Sequence, residues 1–404
     1  MSDTNPNKFD NDDNDFDNDE FDQDDFDIDS LDDSDEADDD ELLDDDESLP
    51  AEAWDDENYA VTRTTLTAEQ LLHRLLHDPN DVMGNDLFAF SDLTRQMTEK
   101  VRQDWLNIPV ERRRVIMRQM VDAAFNDLDW HLSRILRIGL EDQDAQVRLA
   151  ALEGLAEDTS NDLIGPLLQI MRNDQNINVR AAAARNLGSY VLAGELDELD
   201  AALAMRVEEA LLAILSNPTE SVPVQSQALE SIAYSGEAGV RQLIEDAYYS
   251  PEEEMRVSSL IAMGRSADIH WRNYARAELL NPSPAMRAEA ARTCGELETK
   301  AAIHELVELM IDEELTVRLA AIFALGRIGG RDARAALHAI SESRKGPEVA
   351  AAEEALEEMS FYTDPNATPL YDETEDDSDD WDVEAWHNID RDDIDEKDMG
   401  EYEE

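Results

Sequence analysis

From residue 129 onward, apolar positions recur at the helical spacing of three and four, and no window alternates at period two for long enough to form a strand. The pattern predicts a helix, a short turn and a second helix, and then the unit returns. Second helices begin at Val147-Arg148-Leu149-Ala150-Ala151, Val179-Arg180-Ala181-Ala182-Ala183, Met286-Arg287-Ala288-Glu289-Ala290 and Val317-Arg318-Leu319-Ala320-Ala321. Met255-Arg256 is a fifth copy, and Val224-Gln225 and Glu348-Val349 are weaker ones. Successive first positions lie 32, 45, 31, 31, 31 and 31 residues apart. A period of this size means stacked supersecondary units, none able to bury its apolar face alone.

The turns are chemically consistent. Five positions before the first residue of each copy stand Asp142, Asp174, Thr219, Ser250, Asn281 and Asp312. Such side chains accept backbone N–H bonds at turns and helix starts. Pro223, Pro251 and Pro284 sit in the same turns, where a missing N–H costs little. Gly188, Gly264, Gly295 and Gly326 occur nine positions after the first residue, where tight packing or a helix end favours the absence of a Cβ. The one long step places an insertion around 191–202, read as an extended loop or a short additional helix. Upstream, Thr67-Ala68-Glu69-Gln70 opens an apolar-periodic run to Leu76, in the pattern of a capped helix closed by Asp78-Pro79-Asn80. Further helices are expected over 92–106, 110–125 and 129–140. Val115, 32 residues before Val147, marks a degenerate first copy.

Charge changes the domain count. Residues 1–58 carry 29 acidic residues against Lys8 alone, and residues 363–404 carry 19 against Arg391 and Lys397. Like charges at that density repel, and too little apolar surface accompanies them to offset chain entropy, so both ends are expected to be disordered tails. The expected organisation is an acidic tail over 1–58, an N-terminal helical cap with a degenerate repeat over 59–128, repeats over 129–361, and a second tail over 362–404. Phe16-Asp17, Phe21-Asp22 and Phe26-Asp27 recur every five residues, a period of neither helix nor strand. They read either as aromatic stickers for basic, apolar surfaces or as incidental aromatics of a solubilising tail. A net charge of −65 opposes nucleic acid and anionic membranes as partners. The start Met1-Ser2-Asp3-Thr4 has no signal-peptide character and no run is long enough to span a membrane, so a soluble, cytoplasmic protein, monomeric alone, is expected. The single Cys294 allows no disulfide within the chain.

The Asp-x-x-Val-Arg-x-Ala-Ala…Leu-Gly signature, in Asp144–Leu155, Asn176–Gly188 and Glu314–Gly326, resembles HEAT repeats of the short subtype also seen in phycobilisome bilin lyases. The whole arrangement resembles uncharacterised bacterial HEAT-repeat proteins. The resemblance implies an all-α, right-handed solenoid of six or seven helical hairpins. It also implies a structural ladder, Arg148, Arg180, Arg256, Arg287 and Arg318, bonding turn carboxylates and carbonyls of their own or the adjacent repeat and broken at Gln225 and Val349. Each of these arginines has a carboxylate or cap residue two to seven positions upstream.

Chemistry is sparse. Among relatives with this fold, deoxyhypusine hydroxylase needs several His-Glu pairs for its metals, and this chain has one, His304-Glu305. His73 and His77 share a helix face but lack a third ligand. Cys294 takes a slot that elsewhere holds Leu155, Leu187 and Leu325, so it reads as core. No metal, no cofactor and no catalytic residue is expected. The second helices should line a concave face. Two and six positions after each start fall Arg185, Glu230, Val257, Ile261, Arg292, Leu319 and Phe323, the candidates for contact with a partner. The apolar pairs among them either form an exposed patch or pack between helices, with packing preferred. The expected function is a non-catalytic scaffold for a protein partner, possibly basic. A bilin-lyase-like or other chromophore-handling enzyme, and an acidic chaperone for basic proteins, are the alternatives.

Overall fold

Residues at fixed offsets close each turn, and the helices follow. The computed structural model describes residues 65–77, 84–127, 129–343 and 346–362, all within one unit, Val61–Glu404. The two acidic tails, including Phe16, Phe21 and Phe26, lie outside the described residues. Asp144 is the N-cap of α5 (Ala145–Gly154) and accepts the Gln146 and Val147 N–H groups at 3.1 and 3.3 Å. Asn176 does the same for α7 (Ile177–Asn186), at 2.9 and 3.2 Å. Pro223 and Pro284 stand in the first turns of α10 (Val222–Ile232) and α14 (Pro284–Glu296), where no intrahelical donor is lost. In α1 (Ala68–His77) the capping box is reciprocal: Gln70 N–H donates to Thr67 Oγ1 at 3.3 Å, and Thr67 N–H to Gln70 Oε1 at 2.9 Å.

The described residues form helices and no strands. α2 (Arg95–Trp105) and α3 (Val110–Asn126) lead into seven hairpins. Their first helices are α4 (Ser133–Leu140), α6 (Ile164–Asn173), α9 (Ala201–Leu215), α11 (Ala238–Tyr248), α13 (Arg272–Ala277), α15 (Ile303–Leu309) and α17 (Arg331–Ser343). The second helices are α5, α7, α10, α12 (Glu253–Arg265), α14, α16 (Leu315–Ile328) and α18 (Pro347–Tyr362). Each second helix packs on the next, in one layer, and each first helix packs on its own partner in another. The chain is therefore an α-solenoid, and α3 extends the second-helix layer by packing on α5.

Close approach between second helices explains the glycines. A Cβ at Gly295 would fall 2.7 Å from Ala324 Cα, and one at Gly326 would fall 2.8 Å from Ala355 Cβ. Neither has a positive φ, so packing and not a helix end selects them. Seven positions after each start a further row appears. Asn186 Nδ2 donates to Leu152 O at 2.8 Å, Ser231 Oγ to Ala184 O at 2.8 Å, and Thr293 Oγ1 to Leu260 O at 2.9 Å. The other copies carry Gly154, Ala262, Ala324 and Ala355 there. A buried position this close to a neighbouring carbonyl takes either a small residue or a donor.

The insertion is a helix, α8 (Gly188–Glu195), followed by Asp197 in the left-handed region at φ 59°. Tyr190 buries its ring there, with its hydroxyl 2.9 Å from Ser160 O, and burial pushes the phenol up to about 12. The returns from second to first helices also use left-handed residues, Ala267, Glu298 and Gly329, at one position in three successive copies. The expected register of the first copy is corrected. Val115 is 46 % exposed and is no counterpart of the buried Val147. Arg113, four residues after the N-cap Pro109, is the counterpart of Arg148, four after Asp144. This unit is longer by three residues than the sequence alignment assumed.

Candidate protein-binding face

The arginines at the second-helix starts clamp consecutive repeats along one edge. Arg148 Nε and Nη2 reach Asp174 at 2.7 and 2.8 Å, and Nη1 reaches Asp142 O at 2.8 Å. Arg287 repeats this with Asp312, at 2.8 and 2.9 Å, and with Asn281 O at 2.9 Å. Arg318 reaches Glu348 Oε1 at 2.8 Å and Asp312 O at 2.8 Å. The carboxylate thus belongs to the turn of the following repeat, and the upstream residues supply carbonyls instead. The same acidic side chains also close their own turns: Asp142, Asp174 and Asp312 accept the N–H two residues on, at 2.8, 2.8 and 2.9 Å. One side chain therefore shapes a turn and anchors the repeat before it.

The edge departs from this pattern where the repeat spacing does. Thr219 gives its turn role to Asn217, which accepts both the Thr219 N–H and hydroxyl, and Glu220 supplies the carboxylate to Arg180 at 2.8 Å. Only one nitrogen of Arg180 meets it, and Nε has no partner. Gln225 donates to Asn217 O at 2.9 Å but meets no carboxylate across the joint. Arg256 holds the carbonyls of Ser250 and Pro251, both at 2.9 Å, and the next turn offers Asn281 in place of an acid. The ladder also begins earlier than expected. Arg113 Nε reaches the buried Asp142 at 2.7 Å, beside Trp105 Nε1 at 2.6 Å. Arg114 adds two bonds to Asp144, at 2.9 and 2.6 Å, and these hold that carboxylate down at about 2. Arg113 was legible only by counting from the N-cap.

The face of the second helices is polar and largely paired with itself. Arg118 meets Glu153 at 2.8 Å, and the exposed Arg185 donates to Gln227 at 2.7 Å. Glu230 is buried, 5 % exposed, accepting from Ser258 Oγ at 2.7 Å and Gln227 Nε2 at 2.9 Å with Arg265 at 3.6 Å. It is not open to a partner, and burial pushes its carboxyl above the usual range. Val257, Ile261 and Leu319 are half-buried, so packing takes most of their surface. Phe323 remains 42 % exposed, and Arg292, paired with Glu289, is partly open. One turn further along runs a row that sequence reasoning did not mark, visible only ten positions after each start. Arg265 lies over the Tyr234 ring at 5.4 Å, Glu296 follows, and Arg327 meets Glu358 at 3.5 Å.

The remaining chemical candidates separate in space. Cys294 is fully buried, and burial pushes its thiol up to about 12. Glu305 turns to Arg276 at 2.6 Å, while His304 Nε2 lies 3.5 Å from Glu308. His73 and His77 stack at 4.3 Å. Among the described residues, no three His, Cys, Asp or Glu side chains are grouped to hold a metal. No helix among them is long and apolar enough to cross a membrane.

Residues 133–209 and 274–357 match the HEAT repeat family. No curated protein matches the chain. Among solved structures, importin beta in an ammonium sulfate condition is 13 % identical, with a TM-score of 0.39 over 72 % of this chain and 46 % of its own. The complex of CpcE and CpcF of phycocyanin lyase from Nostoc sp. is 16 % identical, with a TM-score of 0.37 over 56 % of this chain and 94 % of that one. Human deoxyhypusine hydroxylase in complex with glycerol is 17 % identical, with a TM-score of 0.31 over 66 % and 96 %.

Proposed function

We propose that this HEAT-repeat protein is a non-catalytic scaffold that binds a protein partner along the face of its second helices. The observation that carries this reading is the presentation of side chains at one offset on four of the second helices. Phe323 stands open at one end, Arg292 and Ile261 come next, and Arg185 lies beyond them. Close contacts between consecutive second helices hold these groups in register, so little ordering cost attaches to binding. An aromatic and two arginines on one rigid face are the residue types that dominate interface energies. The acidic tails, residues 1–58 and 363–404, add long-range attraction for a basic partner and act on association rate more than on dissociation. The buried Cys294 and the divergent His304 and Glu305 give the enzyme reading no reacting centre.

Affinity capture from the native host with mass spectrometry tests this, comparing wild type, Arg292→Glu/Phe323→Ala, and a form lacking residues 1–58. A partner lost with the face variant and captured more slowly without the tail is the expected result. A partner retained by the face variant refutes the assignment of this face.

A further inference from the structure

Six positions before the second-helix start, three consecutive repeats expose a large apolar side chain: Tyr249, Leu280 and Ile311, at 69, 73 and 60 %. Each stands just before the turn residue of its repeat, Ser250, Asn281 or Asp312. The repeats on either side carry polar or turn residues there instead, Asn173 and Pro218 before the row and Glu342 after it. Single exposed apolar residues are ordinary. Three at one position in adjacent stacked units make a row, bounded at both ends, that the core does not require. Packed helices lie about 8–10 Å apart, which sets the spacing of the row. Its aromatic end is stiff, because Tyr248 packs edge-on against Tyr249 at 5.0 Å and against Tyr274 at 5.4 Å.

The surroundings are acidic. Exposed Asp246, Glu252 and Glu254 flank one end, and exposed Glu308, Glu313 and Glu314 flank the other. The cations nearby in sequence are paired, Arg276 with Glu305 at 2.6 Å. Arg256, Arg287 and Arg318 turn inward to turn carbonyls, and the latter two also to Asp312 and Glu348. An apolar row within an acidic rim repels this chain's own tails and attracts a positive partner.

We propose that this row docks a basic amphipathic helix of a partner protein, one carrying an apolar side chain at every seventh residue with Lys or Arg between. Seven residues of α-helix rise about 10.5 Å, which matches the repeat spacing, so three such side chains meet Tyr249, Leu280 and Ile311 in turn. The row lies on the turn edge, away from the second-helix face, and the inference holds whether or not that face binds a partner.

The test is fluorescence anisotropy of full-length protein with synthetic helical Lys/Ala peptides of roughly 18 residues. One peptide carries Leu at every seventh position, and a second has the same composition with the Leu residues scrambled. The matched peptide is expected to bind at least about tenfold tighter. Tyr249→Ser/Leu280→Ser/Ile311→Ser should remove that margin without lowering the melting temperature, while Phe323→Ser leaves it unchanged. Equal binding of the two peptides overturns the proposal, since charge alone then accounts for it. A margin that survives the triple variant overturns it as well. So does self-association of the wild type that the triple variant abolishes, because the occupant is then a second copy.

Discussion

Removing Arg287 should cost more than removing Arg256, although the two occupy the same position in adjacent repeats. Both hold turn carbonyls of their own repeat, at 2.9 Å. Only Arg287 adds a bidentate bond to the next repeat, through Asp312 at 2.8 and 2.9 Å. The pair is neither fully buried nor free, with side chains 17 and 10 % exposed. Hydrogen bonds to charged groups contribute about 1.5–3 kcal/mol, and exposed ion pairs less than about 1. The Asp312 pair should therefore be worth about 1–2 kcal/mol, with Arg287→Ala costing about 2–3 and Arg256→Ala about 1. Asp312 also accepts the Glu314 N–H at 2.9 Å, so a single substitution there removes more than the pair. A double-mutant cycle over Arg287→Ala and Asp312→Ala isolates the coupling. Urea unfolding followed by circular dichroism gives the four stabilities. A coupling below about 0.3 kcal/mol, or equal losses for Arg287→Ala and Arg256→Ala, would refute the cross-repeat clamp.

Asp142→Ala should destabilise by about 3–5 kcal/mol, because it leaves the buried Arg113 and Trp105 Nε1 without their acceptor; a loss under about 1 in the same urea assay counts against that. Asp144 has its pKa lowered from 3.8 to about 2 by its bonds from Arg114, so its stabilisation is full above about pH 4 and fades as pH falls toward 2. The gap in melting temperature between wild type and Asp144→Asn should accordingly shrink on acidification, and a gap constant from pH 6 to pH 2.5 contradicts the assignment. Glu298→Gly should stabilise by about 0.5–1 kcal/mol by relieving the left-handed φ of 48°, and a lower melting temperature contradicts this. Cys294 should react with a thiol reagent only at the rate of unfolding, and rapid labelling of the native protein would show that the site is open.

Most of the repeat architecture was readable because its causes are local. Asp142, Asp174 and Asp312 shape turns through their own backbone neighbours, and an offset of five expresses that directly. Gly295 and Gly326 marked close contacts because nothing larger fits. What a period does not report is depth. Glu230 shares its offset with the exposed Phe323, yet it is buried by Arg265 and by Gln227 and Ser258, whose offset carries Ala or Glu in the other repeats. Which repeat supplies each clamp carboxylate stayed open for a related reason: Arg148 reaches forward to Asp174, and only stacking brings the two together. The first copy was misaligned because Val115 imitates the Val of the motif, whereas distance from the cap identifies Arg113. The same offsets contained Tyr249, Leu280 and Ile311, one place beyond the turn residues that drew attention.

The two joints at which no start arginine reaches a carboxylate of the next repeat are neighbours, α10 on α12 and α12 on α14, and the first is tied instead by Arg265 and Ser258 on the buried Glu230. On one side of the gap, α3 to α10 are tied by Asp142, Asp174 and Glu220; on the other, α14 to α18 are tied by Asp312 and Glu348. The row of arginine clamps is thus interrupted at α12, between two clamped stretches. The apolar row from Tyr249 to Ile311 crosses that interruption, so whatever seats on it bridges the two clamped stretches as a splint.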